Sequence, residues 1–403
     1  MGLLPGPLSP RLHEGLVRLG VWMPFGRAAR ELAWFCGAAV GEATARRLTE
    51  AAGAAYVAEQ TAAAEELAAT RPAPPAGPPV QQLSADGAMV PLVGGDWGEV
   101  KMLAIGTVAA ARGADGTPAV RTGEVSYFAR MADHEAFGRL ASVETHRRGT
   151  ETAGTVVAVA DGADWVQGLV DLHRPDAVRV LDFPHAVEHL NAAGQATWGA
   201  GAPEATAWLA RQAHELKTGD PDAVLDALRS LPVHDAADPA AAARVRDQTL
   251  AYLEKRRDQI AYARFRRCGF PIGSGMVESA HKTVVEDRLK GAGMHWAPRH
   301  VDPMAALRTA VCADRWDAAW RAVARRRRAR TAPPRPGAPR ALSAHQASRP
   351  RRRGTPPRPR AAPMPRPPAD RVSSRSWRLA FQPDRRAADL AARRASRDVS
   401  AKN

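Results

Sequence analysis

The chain has 403 residues, 45% of them hydrophobic, and a formal net charge of +15. That length suits two to three domains and is ample for a buried core, and no run of about 18 uninterrupted apolar residues is present to suggest a membrane span. Residues 321–403 hold 24 Lys+Arg against 4 Asp+Glu, whereas residues 1–320 hold 33 against 38, so the positive charge marks a polyanion-binding tail on a mildly acidic body, not a basic folded surface.

The first 26 residues are punctuated by Pro and Gly and are expected to be irregular. Residues 27–70 read as helical, with a turn at Gly37 to Gly41 and a second helix from about Glu42. This is the outline of a helix-turn-helix, whose second helix would offer Thr44, Arg46 and Arg47 to a DNA groove. Two short amphipathic helices of any kind would look the same. The Pro-rich stretch 71–79 reads as a linker and domain boundary, because proline disfavours helix and strand interiors.

Beyond it the texture changes. Strands are expected at Val80–Val90, Glu99–Val108 and Gly123–Ala129, then a helix over Asp133–His146. A strand ending at Asp161, a helix from Asp164 to Leu172 and a strand ending near Asp182 follow. Three strands, then helix, strand, helix, strand, give a mixed α/β class, in the order of an RNase H-like core. Its first part is taken as residues 80–185. Residues 186–265 read as an all-α insertion by helical periodicity. The core resumes over 266–328, with a helix over 272–291 that Ser274 would cap. Residues 329–403 are Arg/Pro low complexity and are expected to stay disordered.

Three carboxylates stand out. Asp86 interrupts a strand of apolar and small residues, where an unpaired carboxylate costs desolvation. Asp161 ends the apolar run TVVAVA, the place where an α/β sheet puts its chemistry. Glu278 lies near the start of the helix in GSGMVES, with His281 and Lys282 to one side of it. In phosphodiester displacement two Mg²⁺ ions about 4 Å apart can activate the attacking oxygen and stabilise the leaving one, and the carboxylates that hold them must converge from separate elements. Each residue also has an ordinary reading. Asp86–Gly87 and Asp161–Gly162 are turn dipeptides, and Glu278 fits a solvated helix face. In LDFPHAVEHL, His185 and His189 share a helix face with Asp182, a spacing compatible with zinc. Without cysteine partners, a polar support beside the site is the preferred reading of Asp182 and His185, with Asp182 as a helix cap the plainer alternative. Cys36, Cys268 and Cys312 are far apart, with no Cys-x-x-Cys pair, so neither a zinc finger nor a disulfide framework is expected. The N-terminus lacks a basic segment followed by an apolar run, so a cytoplasmic, reduced protein is expected.

The set SADGAMVPL, WGEVK, VVAVADGADWVQGL, LDFPHAVEHLN and FPIGSGMVESAHKTVVEDRLKGAGMHW resembles the ISKra-type insertion-sequence transposases of bacteria, DDE enzymes related to the Mutator-like group. The resemblance runs from about Arg27 to Trp320 and rests chiefly on the GSGMVES…RLKGAGMHW block. It implies an RNase H-like fold with an all-α insertion before the Glu-bearing helix. It also implies Asp86, Asp161 and Glu278 as catalytic residues and ligands of two Mg²⁺ or Mn²⁺ ions, with Asp182, His185 and Lys282 in support. The implied partners are element-end and target DNA, in a homo-oligomer formed on DNA near the nucleoid. Arg288, Lys290 and Trp296 join Thr44, Arg46 and Arg47 as expected DNA contacts, with Trp296 either stacking on an unpaired base or buried as a core residue. Two features depart from the family: no Cys-rich N-terminal region is present, and the Arg/Pro tail is unlike it. The alternatives are an RNase H-like nuclease that does not rejoin ends, and a relic that binds DNA without catalysis.

Overall fold

The computed structural model describes residues 8–112 and 118–331, all within one compact unit. The Arg/Pro-rich stretch beyond Thr331, expected to be disordered, lies outside the described residues. No helix among those described is long and apolar enough to cross a membrane.

Within the described residues the N-terminal stretch, expected to be irregular, is helical from Pro10 onward. Helix α1 (Pro10–Trp22) starts on Ser9, whose Oγ accepts the Leu12 N–H at 3.3 Å, with Pro10 in the first turn, where no amide is needed. Leu16, Val17 and Val21 are fully buried. Their spacing makes one apolar face, so the Pro and Gly residues mark the start of a helix and not its absence. Helix α2 (Phe25–Cys36) ends on Gly37 at φ +64°, and α3 (Glu42–Thr70) follows.

The Pro-rich stretch is no domain boundary either. It lies along the body, where the Gly77 N–H donates to Thr152 Oγ1 at 2.9 Å and Gly154 N–H donates to the Pro78 carbonyl at 3.0 Å. Proline lacks a donor but keeps its acceptor, so an extended Pro-rich segment can still pair with a neighbour. The helices ahead of it share one apolar cluster with the sheet: Leu16, Leu32 and Leu48 pack with Val90, Met102 and Val285.

The sheet has five strands in the order β3-β2-β1-β4-β5. They are β1 (Val80–Pro91), β2 (Trp97–Arg112), β3 (Pro118–Arg130), β4 (Thr155–Ala160) and β5 (Val178–Leu181). The first three form an antiparallel meander, whereas β4 and β5 run parallel to β1. Parallel neighbours need a crossover, which helix α4 (His134–Arg147) and helix α5 (Asp164–His173) provide.

Side-chain alternation sorts the two faces. Leu83, Ala85, Leu103 and Val156 pack with Phe137 of α4 and Leu169 of α5. On the other face, Ala88, Val90 and Met102 meet the C-terminal helices, and Val157 and Val159 meet a helical block. That block comprises α6 (Phe183–Trp198), α7 (Pro203–Thr218), α8 (Pro221–Arg229), α9 (Pro239–Glu254) and α10 (Tyr262–Arg267).

The expected helix over 272–291 is interrupted. It starts as α11 (Gly275–Ala280), passes through a π-helical segment (His281–Glu286) and ends as α12 (Asp287–Leu289). Such π segments recur at functional sites. Ser274 does not cap it through its side chain. Helices α13 (Pro298–Cys312) and α14 (Trp316–Thr331) complete the described chain, so the last helix runs past the expected limit at residue 328. Helix α3 crosses α13 at Gly53, where a Cβ would stand 2.3 Å from the Pro303 carbonyl oxygen, so any side chain there would force the two helices apart.

Candidate active site

The parallel register sets the geometry. Strand β1 pairs with β4 as far as Leu83 opposite Ala158, and extending that register by three residues brings Asp86 level with Asp161. Strand β4 pairs with β5 as far as Ala160 opposite Leu181, so one further step brings Asp161 level with Asp182. Three aspartates thus fall level across three neighbouring parallel strands, Asp86 midway along β1 and Asp161 and Asp182 just past the ends of β4 and β5. By strand alternation Asp86 shares the side of Ala88 and Val90, the face covered by α11.

Asp86 is strongly perturbed. Burial is the main reason that its pKa is pushed up to about 6, and the nearby charges of Asp161, Glu278 and Glu99 add to it. One Oδ accepts the Gly87 N–H at 2.7 Å, which opposes the rise, and the other lies 3.4 Å from His281 Nδ1. Asp86 therefore lies within electrostatic reach of both other proposed ligands. Among the described residues no three His, Cys, Asp or Glu side chains are drawn close enough to form a ready metal cage. Glu278 is exposed, and its Oε1 accepts from Ser274 Oγ at 3.4 Å.

A raised carboxylate pKa has a definite sign in stability. The folded protein holds the proton more tightly than the unfolded chain, so this contribution is complete below about pH 4 and is lost as pH rises through about 6. The Asp86 side chain keeps 41% of its surface open to solvent, which screens the repulsion and keeps the effect modest. Asp86→Asn is therefore expected to gain stability over the wild type between pH 4 and 7 in metal-free buffer. Paired thermal melts at several pH values check this, and a difference that does not vary with pH would count against the assignment.

Asp182 is buried and belongs to the frame. One oxygen accepts the His185 N–H at 3.1 Å and caps α6, and the other accepts the Ser274 N–H at 2.6 Å. Gln82 Nε2 also donates to the Gly273 carbonyl at 3.1 Å, and the Phe183 N–H donates to Ile272 at 2.9 Å. The segment that leads into the Glu278 helix is thereby tied to β1 and to the start of α6. Both Asp182 oxygens accept backbone amides, and among the described residues Asp182, His185 and His189 are not grouped closely enough to hold a metal ion. His189 instead stacks on Tyr252, 4.1 Å between centroids, and burial lowers its pKa to about 4.

Two residues escaped the sequence reading. From α9, the Tyr252 hydroxyl donates to the carbonyl of Asp161. Just beyond that helix, Arg256 Nη2 donates to the carbonyl of Gly162 at 2.8 Å, and its guanidinium lies 3.8 Å over the Tyr252 ring. Burial pushes the Tyr252 phenol up to about 12, so it remains a donor. Gly162 sits at φ +83°, and a Cβ there would lie 2.4 Å from Arg256 Nε. Gly162→Ala should cost about 1–3 kcal/mol in unfolding free energy from strain and clash together. In the Arg256→Ala background the closest clash is gone, leaving the φ penalty and the approach to the Tyr252 hydroxyl at 3.0 Å, so a smaller cost is expected. A double-mutant cycle by denaturant melts measures this, and strict additivity would refute the contact. The only hint in the sequence was an aromatic and an arginine four apart on a helix, which fits many surface helices.

Of the remaining expected site residues, Lys282 is exposed and Lys290 is paired with Glu286 at 3.0 Å. Arg288 and Trp296 are buried. The Trp296 indole N–H donates to the Leu289 carbonyl at 3.0 Å, and its ring packs edge-on to Phe25 and beneath the Arg288 guanidinium. A covered ring cannot stack on a base, so Trp296 is a core residue. Thr44 is half-buried, whereas Arg46 and Arg47 are exposed on the first turns of α3. No protein-family model matches the chain, and no curated protein matches it.

Proposed function

We propose that the protein is a DNA transposase of the ISKra type, with an RNase H-like core interrupted by the α6–α10 block ahead of the Glu-bearing helix. The observation that carries this reading is the register that sets Asp86 level with Asp161, on the sheet face covered by the Glu278 helix and within reach of the charge of Glu278. The strand order supports it, as does Asp161 at the C-terminal end of β4, since that edge is where open α/β sheets place ligands. Asp86, Asp161 and Glu278 would hold Mg²⁺ or Mn²⁺. These are hard oxygen donors, and the charge opposition at Asp86 is one that a cation relieves. When bound, two such ions supply an activated oxygen nucleophile and stabilise the leaving oxygen.

The protein's own part is placement. Asp182 and Gln82 fix the entry to the Glu278 helix, and Tyr252 with Arg256 fixes the turn after Asp161. His281 stands beside Asp86 with its buried Nε2 left without a hydrogen-bond partner. The partners would be element ends and target DNA, bound by a homo-oligomer.

The test is a supercoiled donor plasmid carrying the DNA that flanks the gene, incubated with the full chain and Mg²⁺. Joined products are expected. Nicks alone would make the protein a nuclease. No Mg²⁺-dependent product would overturn the enzyme reading and leave a DNA-binding relic.

A further inference from the structure

A second cleft lies apart from the carboxylates. That cleft, of about 840 Å³, opens between the first turns of α3 and the segment around residues 293–300. Arg46 and Arg47 reach it from one side and Arg299 from the other, all three exposed. Neither Arg46 nor Arg47 forms an ion pair among the described residues. Arg299 contacts only a neutral-capable neighbour there, His300 Nε2 at 3.1 Å. Glu42 and Glu50 also line the cleft, but Glu50 is engaged by His300 at 3.4 Å.

Arg288 lies at the base of this cleft and is 2% exposed. Its Nε donates to the Gly20 carbonyl at 3.1 Å, and its guanidinium sits over Phe25 and Trp296. Its Nη2 has no hydrogen-bond partner, and no carboxylate pairs with it among the described residues. A buried, unpaired positive charge is costly, and it raises the potential of the space above it because low-dielectric walls screen it poorly. The N-terminus of the 29-residue helix α3 opens on the same cleft without a side-chain cap, its dipole partly offset by Glu42 in the first turn.

We infer that this cleft binds the phosphodiester backbone of duplex DNA, with Arg46, Arg47 and Arg299 contacting phosphates above the fixed charge of Arg288. The open form of the cleft and its exposed arginines on two walls suit a passing polyanion strand better than an enclosed small molecule. The contacts inferred are to phosphates, which position a duplex and carry no sequence information directly. The inference rests on the proposed action on DNA, but it concerns a surface separate from the carboxylates.

Full-length protein and a labelled random-sequence duplex, titrated over a range of salt, test it. Arg46→Ala/Arg47→Ala/Arg299→Ala is compared with Arg211→Ala/Arg244→Ala, two exposed arginines on the helical block outside the cleft. The cleft variant should bind roughly tenfold or more weakly near 0.1 M salt, and its log–log salt slope should fall by about 2–3, at about 0.9 per lost phosphate contact. The control should change the slope little, and the three-fold Lys variant should keep most of it. Equal losses in the cleft and control variants, or an unchanged slope, would overturn the inference. Wild-type cleavage and joining on the donor plasmid report on the enzyme reading independently, so either can fail alone.

Discussion

Glu278→Gln, Asp86→Asn and Asp161→Asn are each expected to abolish Mg²⁺-dependent DNA cleavage, by about 10³-fold or more, which is about 4 kcal/mol of barrier. Each substitution keeps the shape of the side chain and removes the charge that a cation needs. Folding should survive, because Glu278 is exposed and Asp86 has 41% of its surface in solvent. The reason is clearest at Asp86, where burial and two neighbouring carboxylates already disfavour the ionised form. Neutralising it relieves repulsion in the metal-free protein, while a cation would relieve it in the wild type. Mg²⁺ or Mn²⁺ should therefore raise the wild-type melting temperature by mass action and leave the variants nearly unmoved. Cleavage assays and melts with and without metal measure both halves. Cleavage that persists in all three variants would sink the assignment of the site.

Trp296→Ala should destabilise the protein by about 3–5 kcal/mol, the usual cost of truncating a core aromatic. The indole closes the joint between the C-terminal segment and the N-terminal helices. Its N–H meets the Leu289 carbonyl, its edge meets Phe25, and the Trp296 N–H and carbonyl bond to Pro91 and Val93 beside the end of β1. Trp296→Phe keeps much of the packing but strands the Leu289 carbonyl, so a smaller loss of about 1–3 kcal/mol is expected. DNA affinity per folded molecule should be unchanged in Trp296→Phe. A Phe variant that folds as the wild type does but loses DNA binding would restore a role for the ring in contacting bases.

Much of the site could be read in the sequence because strand chemistry is local. Asp86 and Asp161 each break an apolar run and are followed by glycine, and such a break is visible without any partner. Glu278 was legible through the motif around it. The N-terminal helix was missed because a cap of Ser9–Pro10 and an apolar face at Leu16, Val17 and Val21 were masked by the flanking prolines and glycines. The linker was misjudged for a related reason. Composition reports a preference against regular structure and says nothing of whether carbonyls and small residues find a surface, as Gly77 does against Gly149 and Ala153.

The sequence by itself determined the alternation of apolar residues along β1, β2 and β4 and the helical block between β5 and the Glu-bearing helix, and it singled out Asp86, Asp161 and Glu278 as candidates, since each depends on near neighbours or on a contiguous motif. Tertiary structure alone decided that Asp86, Asp161 and Asp182 share one row, because register between strands is a long-range property. It also decided that Asp182 spends both oxygens on backbone amides, that Tyr252 and Arg256 hold the turn after Asp161 from 91 and 94 residues away, and that Arg46 and Arg299 face one cleft. These contacts join segments whose separate sequences carry no mark of one another. Burial, which turned Trp296 and Arg288 from expected DNA contacts into core residues, is likewise set by what the rest of the chain packs around them.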